Sequence, residues 1–272
     1  MFESEPTIAM RAAQGMGARP TTVFRGIATA LFIISIPVLL VTTNIRVAAN
    51  ESRVYDYSID RYDAAAVSNL PAGELKGANR ELIRYFNDDE QRFLRVTVRD
   101  RGGEEVALFS PQETAHLADV KNLFQKVFFV QQAVLVYALA FVILIFLWAR
   151  ELPLRALATA LLRASGLTIG LVTAAALAAL AGFDEIWLRF HFLAFANDLW
   201  RLDPAQDHLI QMFPRDFWYD ISLIIGAFTA VEALIIAGLS SLYLYATRPI
   251  VKDYVRPRPV LPERPRPRHL PR

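Results

Sequence analysis

The sequence predicts a mainly α membrane protein: four transmembrane helices with an extracytoplasmic α/β loop domain between spans 1 and 2. Three observations carry this. Apolar residues fill 54% of 272 positions, a fraction that a soluble chain can also reach, but here they cluster in four runs long enough to cross a bilayer. Charge-dense segments separate the runs, and their net sign changes from one loop to the next. The first and longest of these segments carries both helical and strand patterning.

Residues 1–22 are mixed and polar, and are read as a cytoplasmic N-terminal segment. Val23–Thr43 is the first apolar run. At about 1.5 Å per residue it spans roughly 30 Å, the thickness of a hydrocarbon core. A cleavable signal peptide would have a shorter apolar core and an A-x-A site, so a retained anchor is expected. The loop 44–126 is dense in both signs of charge. Within it, Leu75, Leu82, Ile83 and Phe86 recur at helical spacing over Pro71–Asn87, which predicts an amphipathic helix. Two short β-prone runs flank Gly102-Gly103, so Leu94–Leu108 reads as a hairpin. Ser110-Pro111-Gln112-Glu113 then opens a helix: Ser110 caps, Pro111 suits the first helical position, and Glu113 completes a capping box. This helix is expected to run straight into the second span, Val127–Ala149.

Arg150–Arg163 is a short basic loop. Ser165–Phe183, the third span, is rich in small residues. Gly166 and Gly170 stand four apart, a spacing that lets helices approach closely, so this span is read as the centrally packed one. The loop 184–218 is polar and aromatic. Tyr219–Tyr245 is the fourth span, closing a membrane domain that covers 23–246. The tail, 247–272, is Pro/Arg-rich, with eight basic and two acidic residues from Arg248 onward. It reads as a disordered cytoplasmic tail.

Charge orients the chain. The 150–163 loop and the tail are basic, while 184–218 is net acidic, so the positive-inside rule puts both termini in the cytoplasm. Loops 44–126 and 184–218 then share the outer side. His116, His191 and His208 face one compartment together.

The absence of cysteine excludes disulfides, thiolate metal sites and a cysteine nucleophile. No G-x-S-x-G marks a serine hydrolase. His208 with two other histidines could supply zinc ligands, but no pair has a recognised metal spacing and HExxH is absent. His116 and Asp119 stand three apart on one helix face, where a carboxylate can fix an imidazole tautomer. A solvated helix face with a scattered His and Asp has the same pattern. His191 lies among Trp187, Phe190, Phe192, Phe195 and Trp200. That pattern fits an interfacial aromatic belt; it also fits a partly desolvated imidazole placed for acid–base work on a lipid ester. Two histidines in two outer segments favour the second reading of each. Glu232 falls inside the fourth span, where a carboxylate is either functional or hydrogen-bonded to another helix.

Taken together, LFSPQETAHLADVK (108–121) resembles the LF…E…H-M-x-D-V-K segment of a four-span bacterial membrane family. FHFLAFANDLWRLDPAQDHLIQMFPRDFW (190–218) resembles that family's F-H-x-x-F-F…D-x-W…D-P…F-P…F segment. The family includes the lipoprotein intramolecular transacylase, and the similarity runs over about 23–245. It implies an acyltransferase of the bacterial cytoplasmic membrane that moves the sn-2 acyl chain of a diacylglyceryl lipoprotein to the α-amino group of its N-terminal cysteine. The product is a lyso-form lipoprotein. The family's functional histidines map onto His116 and His191. Asp119, Lys121, Asp198 and Trp200 map onto supporting positions, and Phe190, Phe192 and Phe195 onto substrate-binding ones. The implied partners are the lipoprotein and membrane lipid, with no nucleic acid and no cofactor. Leu117 stands where the family commonly has Met, Ala194 and Ala196 thin the aromatic cluster, and the tail is extra. A histidine-dependent lipid or lipoprotein deacylase, or a non-enzymatic membrane scaffold or sensor, are the alternatives.

Overall fold

A computed structural model describes residues 20–148 and 152–248. The N-terminal segment through residue 19 and the Pro/Arg-rich tail from 249 lie outside these described residues. Four helices are long and apolar enough to cross a membrane: α1 (Pro20–Asn50), α5 (Pro111–Trp148), α6 (Pro153–Ala194) and α8 (Arg215–Ala246). They point large apolar side chains outward, among them Phe129, Leu139, Leu180 and Leu242, each more than half exposed. Such a surface suits hydrocarbon rather than water, because helices satisfy their own backbone hydrogen bonds. The chain is a multi-pass membrane protein.

Between α1 and α5 come three shorter helices and a hairpin. The helices are α2 (Ser52–Arg61), α3 (Ala64–Val67) and α4 (Ala72–Asn87). The expected amphipathic helix is α4, which buries Leu75, Leu82 and Phe86. The strands β1 (Thr97–Arg99) and β2 (Glu105–Ala107) pair antiparallel, with Val98 opposite Val106. The turn needs Gly103, whose φ of 87° is a left-handed conformation that favours glycine. An α/β domain is therefore too strong a description of this segment. Among the described residues the hairpin is the one sheet, and α2 and α3 occupy stretches that had no predicted element. The strands are three residues each, while Tyr55 and Ile59 are buried at helical spacing on α2.

The capping box forms as the sequence predicts. Glu113 Oε2 accepts from Ser110 N (2.7 Å), and Ser110 Oγ accepts from Glu113 N (3.2 Å). Helix α5 continues unbroken to Trp148. The basic stretch after it is mostly helical rather than loop, because Pro153 fits the first position of α6. Helix α6 also runs on beyond Phe183. It is interrupted at Gly182 (φ 177°, ψ 73°) and resumes through Ala194, so His191 stands on a helix and not in an irregular loop. Two short elements follow: a loop and α7 (His208–Met212).

Small residues do pack α6 tightly, but not the expected glycines. A Cβ added at Gly166 or Gly170 would meet nothing within 4 Å. The buried row is Ala160, Ala164 and Thr168, also spaced by four, with Ser165 beside it. The helix periodicity placed two such rows on α6, and the one bearing side chains faces inward. Ala160 and Ala164 join Phe32, Ile36, Phe141 and Ile145 in a core at one end of the bundle, where Phe32 and Phe141 stack at 4.2 Å. A second core lies at the opposite end. There Leu82, Tyr85, Leu108, Leu117, Met212 and Phe217 join the short helices and hairpin to α5, α7 and α8.

Candidate active site

Both histidines of interest reach the second core, and both are buried, each 7% exposed. His116 lies in the second turn of α5, eleven residues before the apolar run begins at Val127. His191 lies in the last turn of α6. Their ring centroids are 6.4 Å apart. Phe195, the residue that ends α6, packs edge-on to His116 at 5.0 Å and lies 5.7 Å from His191. Trp200 covers His191 from the other side at 4.8 Å.

The helix decides the tautomer of His191. Its Nδ1 sits 2.7 Å from the carbonyl oxygen of Trp187, one turn back. A carbonyl only accepts, so Nδ1 carries the proton and donates it, which leaves Nε2 with a free lone pair. Burial holds the His191 pKa below its ordinary value, partly opposed by that hydrogen bond. His116 is pushed down to about 4, first by burial and next by repulsion from a charged His191, against the attraction of Asp119. Both rings are therefore neutral at pH 7. The Nδ1 of His116 and the Nε1 of Trp200 are buried with no hydrogen-bond partner.

The pair lines an apolar cavity of about 560 Å³, within the roughly 300–1,000 Å³ typical of small-molecule sites. Leu117 and Val120 of α5, Phe183 and Trp187 of α6, and Ile221 and Ile225 of α8 form much of its wall. The aromatics on α6 are a ladder at helical spacing: Phe183, Trp187 and Phe190 stack in sequence, and Trp218 stacks on Trp187. Phe190 and Phe195 line the cavity. Phe192 does not: it is 58% exposed and contacts Trp200 and Arg201 on the outer side of the loop.

The supporting positions divide. Asp119 does not hydrogen-bond His116 but accepts from Asn197 Nδ2 at 2.9 Å, tying α5 to the loop after α6. Lys121 points away from the histidines: its Nζ donates to the Gln91 carbonyl at 2.6 Å and sits over the Tyr85 ring. Asp198 pairs with Arg201 in solvent, and His208 opens α7. Among the described residues no three metal-ligating side chains converge. Glu113 does more than cap. Buried to 1% exposure, its Oε1 also accepts from Leu209 N at 2.6 Å, which fixes α7 against α5. Gln112 donates to the carbonyls of Leu199 and Arg201. The first turns of α5 thus hold the whole 195–209 segment over the cavity. Sequence reading placed Glu113 only in the capping box; its second partner is 96 residues away and leaves no local signal.

Four long apolar helices and an apolar cavity lined by two neutral buried imidazoles define a multi-pass membrane protein with an apolar, histidine-bearing site. The chain belongs to the lipoprotein intramolecular transacylase (Lit) family, whose model matches residues 30–218. It is thereby a membrane transacylase of the kind that works on lipoproteins. It is similar in fold to the membrane-integral transacylase Lit from Bacillus cereus, at 23% identity and a TM-score of 0.68 over 82% of this chain and 96% of that one. A variant of the Bacillus cereus protein with one histidine replaced by arginine matches at 21% identity and a TM-score of 0.67, over 83% and 94%. No curated protein matches the chain.

Proposed function

We propose that the protein moves the sn-2 acyl chain of a diacylglyceryl lipoprotein onto the α-amino group of the same molecule's N-terminal cysteine, assisted by His116 and His191. The observation that carries this reading is the pairing of the two neutral imidazoles, 6.4 Å apart, in the wall of an acyl-sized apolar cavity. No nucleophilic side chain is required, because the substrate supplies its own amine. With a pKa of about 7.7 to 8.0, a useful fraction of that amine is neutral near pH 7.

The harder step is partition of the tetrahedral intermediate. The amine nitrogen attacks the ester carbonyl carbon, and the adduct must expel the glyceryl oxygen rather than the amine. His191 takes the ammonium proton on Nε2, the lone pair left free by its bond to Trp187, and delivers it to the leaving oxygen. The C–O bond breaks, an amide forms, and the imidazole returns to neutral. His116 and the Trp200 indole are the donors proposed for the developing oxyanion; the unpartnered nitrogen on each supports that role. Holding amine and ester in one substrate at near-attack distance supplies a large share of the acceleration. Phe190 and Phe195, which line the cavity, grip the chain. Asp119 acts through Asn197 by holding the covering loop in place. The charge pattern supports an outer-face site with both termini cytoplasmic.

The test is to express the protein in a host rich in diacylglyceryl lipoproteins and to analyse N-terminal lipopeptides by mass spectrometry. The reading expects one acyl group shifted from glycerol to nitrogen, and none shifted in His191→Asn or His116→Asn at equal protein level. A lost acyl group would instead mark a deacylase, and unchanged lipopeptides a scaffold.

A further inference from the structure

A polar cluster adjoins one end of the cavity lining. Of the residues that line the cavity, Ile45 on α1, Val127 on α5, Phe183 on α6 and Ile225 on α8 lie furthest along their helices from the end of the bundle that carries the histidines. One turn beyond Ile225, Thr229 is fully buried and donates its hydroxyl back to the Ile225 carbonyl at 2.8 Å. Asn44, next to Ile45, donates to Thr229 Oγ1 at 3.0 Å and to Glu232 Oε2 at 2.9 Å. Three polar side chains from α1 and α8 therefore satisfy one another next to Ile45 and one turn beyond Ile225, two lining residues of a mostly apolar well. An alkyl chain that pushed past Ile225 would have to break hydrogen bonds that nothing in the hydrocarbon could replace.

We propose that the Asn44–Thr229–Glu232 cluster is the stop of an acyl-length ruler, fixing how long a chain the cavity accepts from its substrate. The proposal rests on the acyl-transfer reading and deepens it. From the level of His116 to that of Val127 is eleven residues of helix, or about 16 Å at 1.5 Å per residue. An extended chain advances about 1.2 Å per bond, by the same geometry that gives an extended peptide its reach of up to about 3.6 Å over three bonds. The well thus holds on the order of 13 bonds of chain beyond the reacting carbonyl. The cluster is a barrier of chemistry as well as of volume: a longer chain meets hydrogen-bonded groups rather than compressible side chains.

The experiment is competition among synthetic diacylglyceryl lipopeptides that differ only in sn-2 chain length, from shorter than this reach to well beyond it. The full-length protein in lipid is used, and N-acyl product is counted by mass spectrometry. The wild type should discriminate at least tenfold against chains past the stop. Ile225→Phe, which raises the floor, should move the cutoff to shorter chains. The double variant Asn44→Ala/Glu232→Ala, which removes both the bonds and the bulk, should move it to longer ones. A wild-type profile flat across all lengths would overturn the ruler even if neither variant folds. So would variants that transfer acyl groups with the wild-type cutoff. Absence of N-acyl product at every length would overturn the acyl-transfer reading itself, and the ruler with it.

Discussion

His116 is the residue with the most unusual surroundings. A ring whose ordinary pKa is 6.5 is held at about 4 by burial and by its histidine neighbour. The depressed value means that the unfolded chain binds this proton more readily than the folded one. Stability from His116 is therefore fully present above about pH 6.5 and falls as the pH drops toward about 4. The loss amounts to about 3 kcal/mol, at 1.36 kcal/mol per pH unit. Unfolding midpoints in detergent, measured from pH 7 to pH 4, should fall for the wild type and fall less for His116→Asn. Equal slopes for the two would show that His116 does not titrate as its burial requires. The rate has a different acid limb. Burial lowers the pKa of both imidazoles, so as the pH falls the substrate amine, with its pKa of about 7.7 to 8.0, is protonated before either histidine and opens the acid limb of the activity profile. At this scale the sequence revealed the pair but not its geometry. The HxxD spacing put Asp119 on the same face as His116, and the side chain turned instead to Asn197, a partner that no local pattern announces. The tautomer of His191 was hidden for a simpler reason: its bond to Trp187 is a helical i to i−4 contact, and the stretch read as a loop.

At the scale of elements, the beginning of α5 organises the site. Glu113 closes its own capping box and at the same time receives Leu209 N from α7. Glu113→Ala would leave the buried Leu209 N–H and the half-buried Ser110 N–H without their acceptor. At roughly 1–3 kcal/mol for each such group, the variant should lose about 2–6 kcal/mol of stability. Glu113→Gln, which keeps an acceptor oxygen, should lose less. A thermal midpoint for Glu113→Ala equal to the wild type would contradict the bridging role. Capping signals, the amphipathic α4 and the Gly102-Gly103 hairpin were legible because each is a local rule of spacing or turn chemistry. The glycine row on α6 misled because spacing alone does not say which of two small-residue stripes faces inward; Ala160, Ala164 and Thr168 do. The extent of α6 was misread because charges at Arg163 and Asp184 mark the ends of an apolar run, and a helix need not stop where its apolar run stops.

For the whole molecule, acyl transfer on a lipoprotein requires the short helices, the hairpin and the histidine pair to lie outside the cytoplasm. The chain has no cysteine, so single introduced thiols report without background. In intact spheroplasts, Glu104→Cys in the hairpin turn should react with a membrane-impermeant maleimide. Thr247→Cys at the far end of α8 should react only after lysis. The reverse pattern would invert the topology. Glu232, which the sequence left as either a functional carboxylate or one hydrogen-bonded to another helix, accepts from Asn44 on α1. It ties α8 to α1, a relation set by tertiary packing across 188 residues. The central claim is that one lipoprotein is both acyl donor and acyl acceptor, and an isotope crossover tests it most directly. Purified protein is given an equal mixture of two diacylglyceryl lipopeptides, one with a heavy peptide and light sn-2 chain, the other with a light peptide and heavy sn-2 chain. N-acyl products should keep the parental pairing of peptide and chain. Products with exchanged chains, or free fatty acid in place of amide, would contradict it.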